Sequence, residues 1–236
     1  MLPVILVSIG IPSRFEDEFN DFYHHEYIPD LLQAIPEIKN ARRYQEFNTE
    51  GSLRYYKKVY WSIYELVSSE VIDYVDVALK KRREQSALVK KFHSFQAQMT
   101  HCDAATMYTC RYQHPRKPLD GPFGSRPFFS VSVEVRPDRL DAFNDWYERV
   151  YLSRNLADVP TWIGCRRYSS IQREKPRQMT IYEAQDKNSL IDSLELMRAK
   201  FRLKDNESWQ NWDSGNDPAI TWEDATSFMP FFRYPD

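Results

Sequence analysis

One stretch of this chain occurs twice. "FNDFYHHEYIPDLLQAIPEIKNARRY" (Phe19–Tyr44) returns as "FNDWYERVYLSRNLADVPTWIGCRRY" (Phe143–Tyr168), with ten identities in 26 ungapped positions. The match resumes where Ile63-Tyr64-Glu65 faces Ile181-Tyr182-Glu183, and Arg111-Tyr112 recurs as Arg233-Tyr234. A repeat of this period sets the architecture before any local signal is read. The 236 residues allow one large domain or two of roughly 110 residues each. The repeat selects the second: residues 1–113, a linker over 114–126 carrying most of "HPRKPLDGPFGSRP", and residues 127–236.

Each half reads as β-α-β-β-α-β. "PVILVSIGI" is a buried strand. Ser13 offers an N-cap with Glu16 three residues on. Phe15, Phe19, Phe22 and Tyr23 then mark one apolar helix face, and Pro29 and Pro36 bracket its end. "IKNARRYQEF" and "RYYKKVYWSIYEL" predict a hairpin about "NTEGS", followed by a helical region over 69–95 and a last strand over 103–113. The second half repeats the order, with an insertion, "DNESWQNWDSGNDPAITW", near 205–222. Two tandem ferredoxin-like repeats are expected, an α+β fold with helices on one face of each antiparallel sheet. The uncovered sheet faces predict packing into a barrel within one chain.

Composition excludes several classes. Formal net charge is −2, with 32 basic and 34 acidic residues, so neither nucleic acid nor an anionic membrane is an expected partner. Lys80-Lys81-Arg82-Arg83 reads as the solvated face of a helix. Three cysteines without a C-x-x-C pair predict no disulfide framework and a cytoplasmic location. The apolar start is too short for a signal peptide or membrane span. There is no phosphate loop, dinucleotide fingerprint or G-x-S-x-G elbow. "HHEYIP" is not H-E-x-x-H, and no metal site is expected.

The element order, with "NDWY…", "IPDLLQAIP…ARRY" and "VPTWIGCRRY", resembles the dimeric α+β barrel superfamily, and within it the EthD-like members. Those members carry N-D-W-Y-x-x-E-H-x-P followed by V-P-x-x-x-x-x-R-Y. The resemblance implies a pocket for a small hydrophobic ligand, in a superfamily that includes cofactor-free monooxygenases, polyketide cyclases, isomerases, lyases and haem proteins. A haem enzyme resembling chlorite dismutase would carry an axial His in the second half, where this chain has none. The expected cofactor set is therefore empty. Where relatives have His before "IP", this chain has Tyr27, and Tyr151 in the second copy.

Candidate catalytic residues follow. His25 lies four residues after Asp21, so the carboxylate can orient the imidazole, or form an ordinary surface pair. His24 points roughly 100° away on a helix, so both imidazoles cannot face one pocket. The copies disagree here: His24-His25-Glu26 stands against Glu148-Arg149-Val150. Tyr27 and Tyr151 can donate a proton but are poor bases at neutral pH. Strand alternation sends one Arg of Arg42-Arg43 and of Arg166-Arg167 toward the helices or the lumen. There Arg43 and Arg167 either pair with an acid such as Glu26 or Asp21, or bind an anionic ligand group. Tyr23, Tyr147, Tyr60 and Trp61 are further candidates for contact with substrate. Tyr56, Tyr60 and Tyr64 share a strand face, as do Phe228, Phe232 and Tyr234, and Trp209, Trp212 and Trp222 could lid a barrel mouth or plug a sheet edge. The reading is a cofactor-independent enzyme moving a proton on an aromatic or polyketide-like molecule, as a cyclase, isomerase or lyase. A non-catalytic binding protein and a cofactor-free monooxygenase are the alternatives, and the duplicated chain can pair again as a homodimer.

Overall fold

The computed structural model describes residues 1–47, 58–103, 105–114, 123–124, 126–171, 176–201, 212–213, 215 and 217–235. The chain divides into two units. The first is Met1–Thr109 with Pro122–Gly124 and Pro230–Asp236; the second is Cys110–Gly121 with Ser125–Met229. A single cut at the linker therefore does not separate them, because residues 230–236 belong with the first unit.

In the first unit, β1 (Val4–Ile11) pairs antiparallel with β3 (Lys58–Leu66), from Val4 opposite Glu65 to Ile11 opposite Lys58. Its other edge takes β4 (His101–Cys102) and the start of β5 (Thr106–Gln113), while β2 (Ile38–Glu46) pairs with β3. The order is β5–β1–β3–β2. β-Branched residues fill β1 because its side chains are buried on both faces.

The first helical region departs from expectation in two places. Ser13 lies in a 3-10 turn, Ser13–Phe15, and its side chain caps nothing. Pro29 does not end the helix. α1 (Glu16–Phe22) passes through a π-helical segment, Tyr23–Tyr27, into α2 (Ile28–Ala34), with Pro29 in the first turn of α2. Phe19 and Phe22 pack on Phe95 with ring centroids at 5.6 and 5.3 Å. Each buried aromatic contributes about 1.5–3 kcal/mol. The predicted helix over 69–95 is two helices, α3 (Ile72–Gln85) and α4 (Ala87–Gln96), because Ser86 turns to cap α4 through Val89 N–H at 3.4 Å. The turn "NTEGS" and Tyr56 lie outside the described residues.

In the second unit, β6 (Phe128–Val135) pairs with β8 (Arg177–Ala184) and with β9 (Ile220–Tyr234), and β8 pairs with β7 (Trp162–Ser170). The order is β9–β6–β8–β7. α5 (Leu140–Trp146), a π segment Tyr147–Tyr151, and α6 (Leu152–Asp158) follow β6, and α7 (Lys187–Phe201) follows β8. The second π segment forms where Ser153 replaces Pro29, so proline is not its cause. Trp212 stacks on Trp146 at 4.9 Å and meets Phe143 at 5.7 Å, an aromatic plug on the helix layer. Trp209 lies outside the described residues. Among the described residues the three cysteines form no disulfide, and no helix is long and apolar enough to cross a membrane.

Gly10 marks a close approach. A Cβ there would meet Thr100 Oγ1 and lie 2.8 Å from His101 Nδ1, while His101 Nε2 is held at 2.8 Å by Ser8 Oγ. Gly10→Ala is therefore expected to cost about 1–3 kcal/mol through overpacking, read as a lower urea midpoint at unchanged m-value.

Candidate active site in the first unit

Between the helices and the sheet of the first unit lies a cavity of about 300 Å³. Ile5, Val7, Leu31, Leu79, Val89 and Phe92 supply apolar wall. Tyr23, Tyr27, Tyr64, Arg82, Arg83, His93, Gln96, Cys102 and Asp103 supply polar groups. The π segment brings Tyr23 and Tyr27 onto one wall, ring on ring at 5.0 Å and 9°, with Phe92 5.3 Å from Tyr27. π-Helical turns recur at functional sites because they shift side-chain register within a helix.

Two hydroxyls meet on this wall, with Tyr23 Oη 2.6 Å from Tyr64 Oη. Burial raises both phenols above their ordinary range, so both are neutral and able to donate. Burial does the same for Tyr27. Behind Tyr23 stands Arg43, fully buried, with its guanidinium 4.8 Å from the Tyr23 ring and 4.7 Å from the Tyr60 ring. Arg43 Nη1 donates to Asn20 Oδ1 at 2.8 Å and to His24 Nε2 at 2.6 Å, while its Nε and Nη2 have no hydrogen-bond partner among the described residues. Tyr60 Oη donates to the buried Glu16 carboxylate.

His24 is therefore an acceptor. Its ring stacks on Phe232 at 3.8 Å and 7°. Desolvation and then the Arg43 charge lower its pKa to about 3. Its ordinary value is 6.5, so the unfolded chain takes up this proton first as pH falls. Stability held above about pH 6.5 is expected to be lost between pH 6.5 and 3. His24→Gln keeps an acceptor for Arg43 but cannot titrate. Thermal melts from pH 7.5 down to 4.5 should fall less steeply for this variant, and equal slopes would refute the assignment.

The other candidates are dispersed. His25 and Asp21 form an exposed pair, 3.8 Å apart and 71% and 80% exposed. Asp145 and Arg149 repeat that surface pair in the second unit at 2.8 Å. The expected acidic partners of Arg43 are elsewhere: Asp21 faces solvent, and Glu26 holds Lys91 at 2.8 Å. Trp61 stands opposite Ser8 on the other face of β3 from Tyr60 and Tyr64, because adjacent strand residues alternate, and it does not line the cavity. Tyr60 touches Arg43 rather than the cavity. The basic run is not a uniform solvated face. Arg82 is 9% exposed, bonded to Asp30 and to Ser86 Oγ, and both Arg82 and Arg83 line the cavity.

The second unit builds the same frame differently. Arg167, also fully buried, donates to Glu148 Oε1 at 2.6 Å and to Asn144 Oδ1 at 2.9 Å, and lies 4.7 Å from the Tyr147 ring. Tyr147 and Tyr182 hydroxyls are 3.3 Å apart, and Tyr151 packs on Tyr147 at 4.9 Å, its phenol raised by burial. The difference between copies at His24 and Glu148 is thus a difference in the partner of a buried arginine. Asn20 and His93 are not among the sequence candidates, Arg82 and Arg83 read there as solvated surface, and Tyr64 enters only through the strand face it shares with Tyr60. Asn20 and Tyr64 were findable, since both recur in the second copy, as Asn144 and Tyr182.

Among the described residues no cluster of three or more His, Cys, Asp or Glu is placed to hold a metal ion. His114, the last histidine of the chain, is 4% exposed and belongs to the second unit. No family profile and no curated protein matches the sequence. Solved structures do. An "anthrone oxidase-like protein" aligns with TM-score 0.63 and 10% identity over 98% of this chain and 92% of its own. A Fusobacterium nucleatum protein named "Putative monooxygenase" gives 0.56 and 10% over 98% and 94%. A chlorite dismutase variant from Candidatus Nitrospira defluvii with cyanide gives 0.51 and 9% over 98% and 91%. These likenesses establish the fold: mixed α and β with antiparallel strand pairing.

Proposed function

We propose that this chain is an enzyme that moves a proton on a small aromatic or polyketide-like molecule held in the first-unit cavity, without a cofactor. The observation that carries this reading is the Tyr23–Tyr64 hydroxyl pair, 2.6 Å apart, on the wall of a cavity that also holds the His93 imidazole. Removing a proton beside a carbonyl puts negative charge on the oxygen. One hydroxyl of the pair donates to the other, which leaves the second O–H to donate to that oxygen, and the Arg43 cation behind Tyr23 adds to the field. Imidazole is well suited to take the proton and return it at another atom. Tyr27 and Phe92 offer ring faces for an aromatic substrate. Enolate formation is a common first step of isomerisation, cyclisation and lyase chemistry.

The repeated letters, together with the orders β5–β1–β3–β2 and β9–β6–β8–β7, support reading the units as tandem ferredoxin-like repeats of the EthD-like type. A second reading, cofactor-free oxygenation, draws on the names of two structural neighbours. It shares the enolate and differs in what meets it. Anthrone is a suitable probe for both, since it is a flat carbon acid whose enolate carries one oxygen. Exchange of its acidic C–H in D2O, followed by proton NMR, should run faster with the protein than with buffer. Exchange without oxygen uptake favours proton transfer alone, whereas uptake measured with an electrode favours oxygenation. No acceleration of either would overturn the proposal.

A further inference from the structure

We infer that the ligand of this cavity is an aromatic carboxylic acid, with its carboxylate held at the rim by Arg83. The inference rests on the cavity being the ligand site, as proposed above, and adds a second anchoring point to the hydroxyl pair.

The polar groups fall into two sets. Tyr23 and Tyr64 are buried, with Arg43 behind them, and suit a single oxygen. Arg83, His93 and Gln96 are exposed yet line the same cavity, so they form its rim. The two adjacent arginines differ in what they already hold. Arg82 is committed to Asp30 and Ser86 and lies over the Tyr27 ring at 5.5 Å. Arg83 has no hydrogen bond or ion pair among the described residues, although its charge reaches the Tyr27 hydroxyl. Asp103 is the acidic side chain of the lining, and it acts on the Cys102 thiol beside it, on the β4 wall. A flat ligand stacked along Tyr27 thus has, at its buried end, the one hydroxyl proton that the Tyr23–Tyr64 pair does not use internally. At the other it meets a guanidinium with free N–H groups, whose fork fits a carboxylate. A neutral aromatic would use the first set and leave the second idle.

Three probes separate the parts: 3-hydroxy-2-naphthoic acid, its methyl ester and 2-naphthol, titrated calorimetrically at pH 7.5. The acid is expected to bind about tenfold more tightly than the ester. Arg83→Gln should abolish that preference and leave ester and naphthol binding unchanged. Arg83 is exposed, so the variant should fold, checked by circular dichroism. Equal binding of acid and ester to the unaltered chain would overturn the inference, as would an acid preference that survives in Arg83→Gln. In either case, retained naphthol binding that weakens in Tyr64→Phe leaves the cavity reading standing. Failure of all three probes to bind overturns both.

Discussion

Tyr64→Phe is expected to slow proton transfer by about 10²–10³-fold, the usual loss when one donor to a developing oxyanion is removed. The change deletes one oxygen and keeps the ring, so the aromatic wall survives. Tyr23 loses its partner at 2.6 Å but remains beside Arg43. The loss should fall on kcat more than on KM, because the donor matters most when charge has moved onto oxygen. Tyr182→Phe removes the corresponding hydroxyl of the second unit, where the pair is 3.3 Å apart, and should leave turnover nearly unchanged. Full exchange activity in Tyr64→Phe, or equal losses in both variants, would mean that the hydroxyl pair of the first unit is structural.

Glu148→Ala is expected to destabilise the chain by about 3–5 kcal/mol, because it strands the Arg167 cation in the interior. Arg167 is fully buried, and Asn144 and Gln178 would remain as its neutral acceptors. Arg111, which shares Glu148 at 2.8 Å, is partly exposed and can turn to water. Glu148→His should cost less, since the first unit holds Arg43 with a neutral imidazole at the same position. Urea unfolding reads both variants. A loss under about 1 kcal/mol for Glu148→Ala would show that the neutral acceptors suffice.

The repeat made the element order readable because the copies had to keep whatever builds a helix on a sheet. Phe19, Tyr23, Arg43 and their counterparts recur for that reason, and the structure places them in contact. The Asp21–His25 spacing was legible too, but spacing fixes only that two side chains share a helix face, not which face is buried. Tyr27 reached the cavity through a π turn, which ordinary helix periodicity does not describe. Arg83 and His93 come from separate helices whose docking depends on tertiary packing, so a charge run on α3 gave no sign that it borders a pocket.

Phe231 and Phe232 cover His24, and Phe231 also packs on Tyr60 at 5.1 Å. During synthesis these rings leave the ribosome long after the helix they protect. The first unit can gather its strands and helices early, yet the shield over its histidine and buried arginine arrives after the whole second unit has been made. The half that is translated first is therefore completed last.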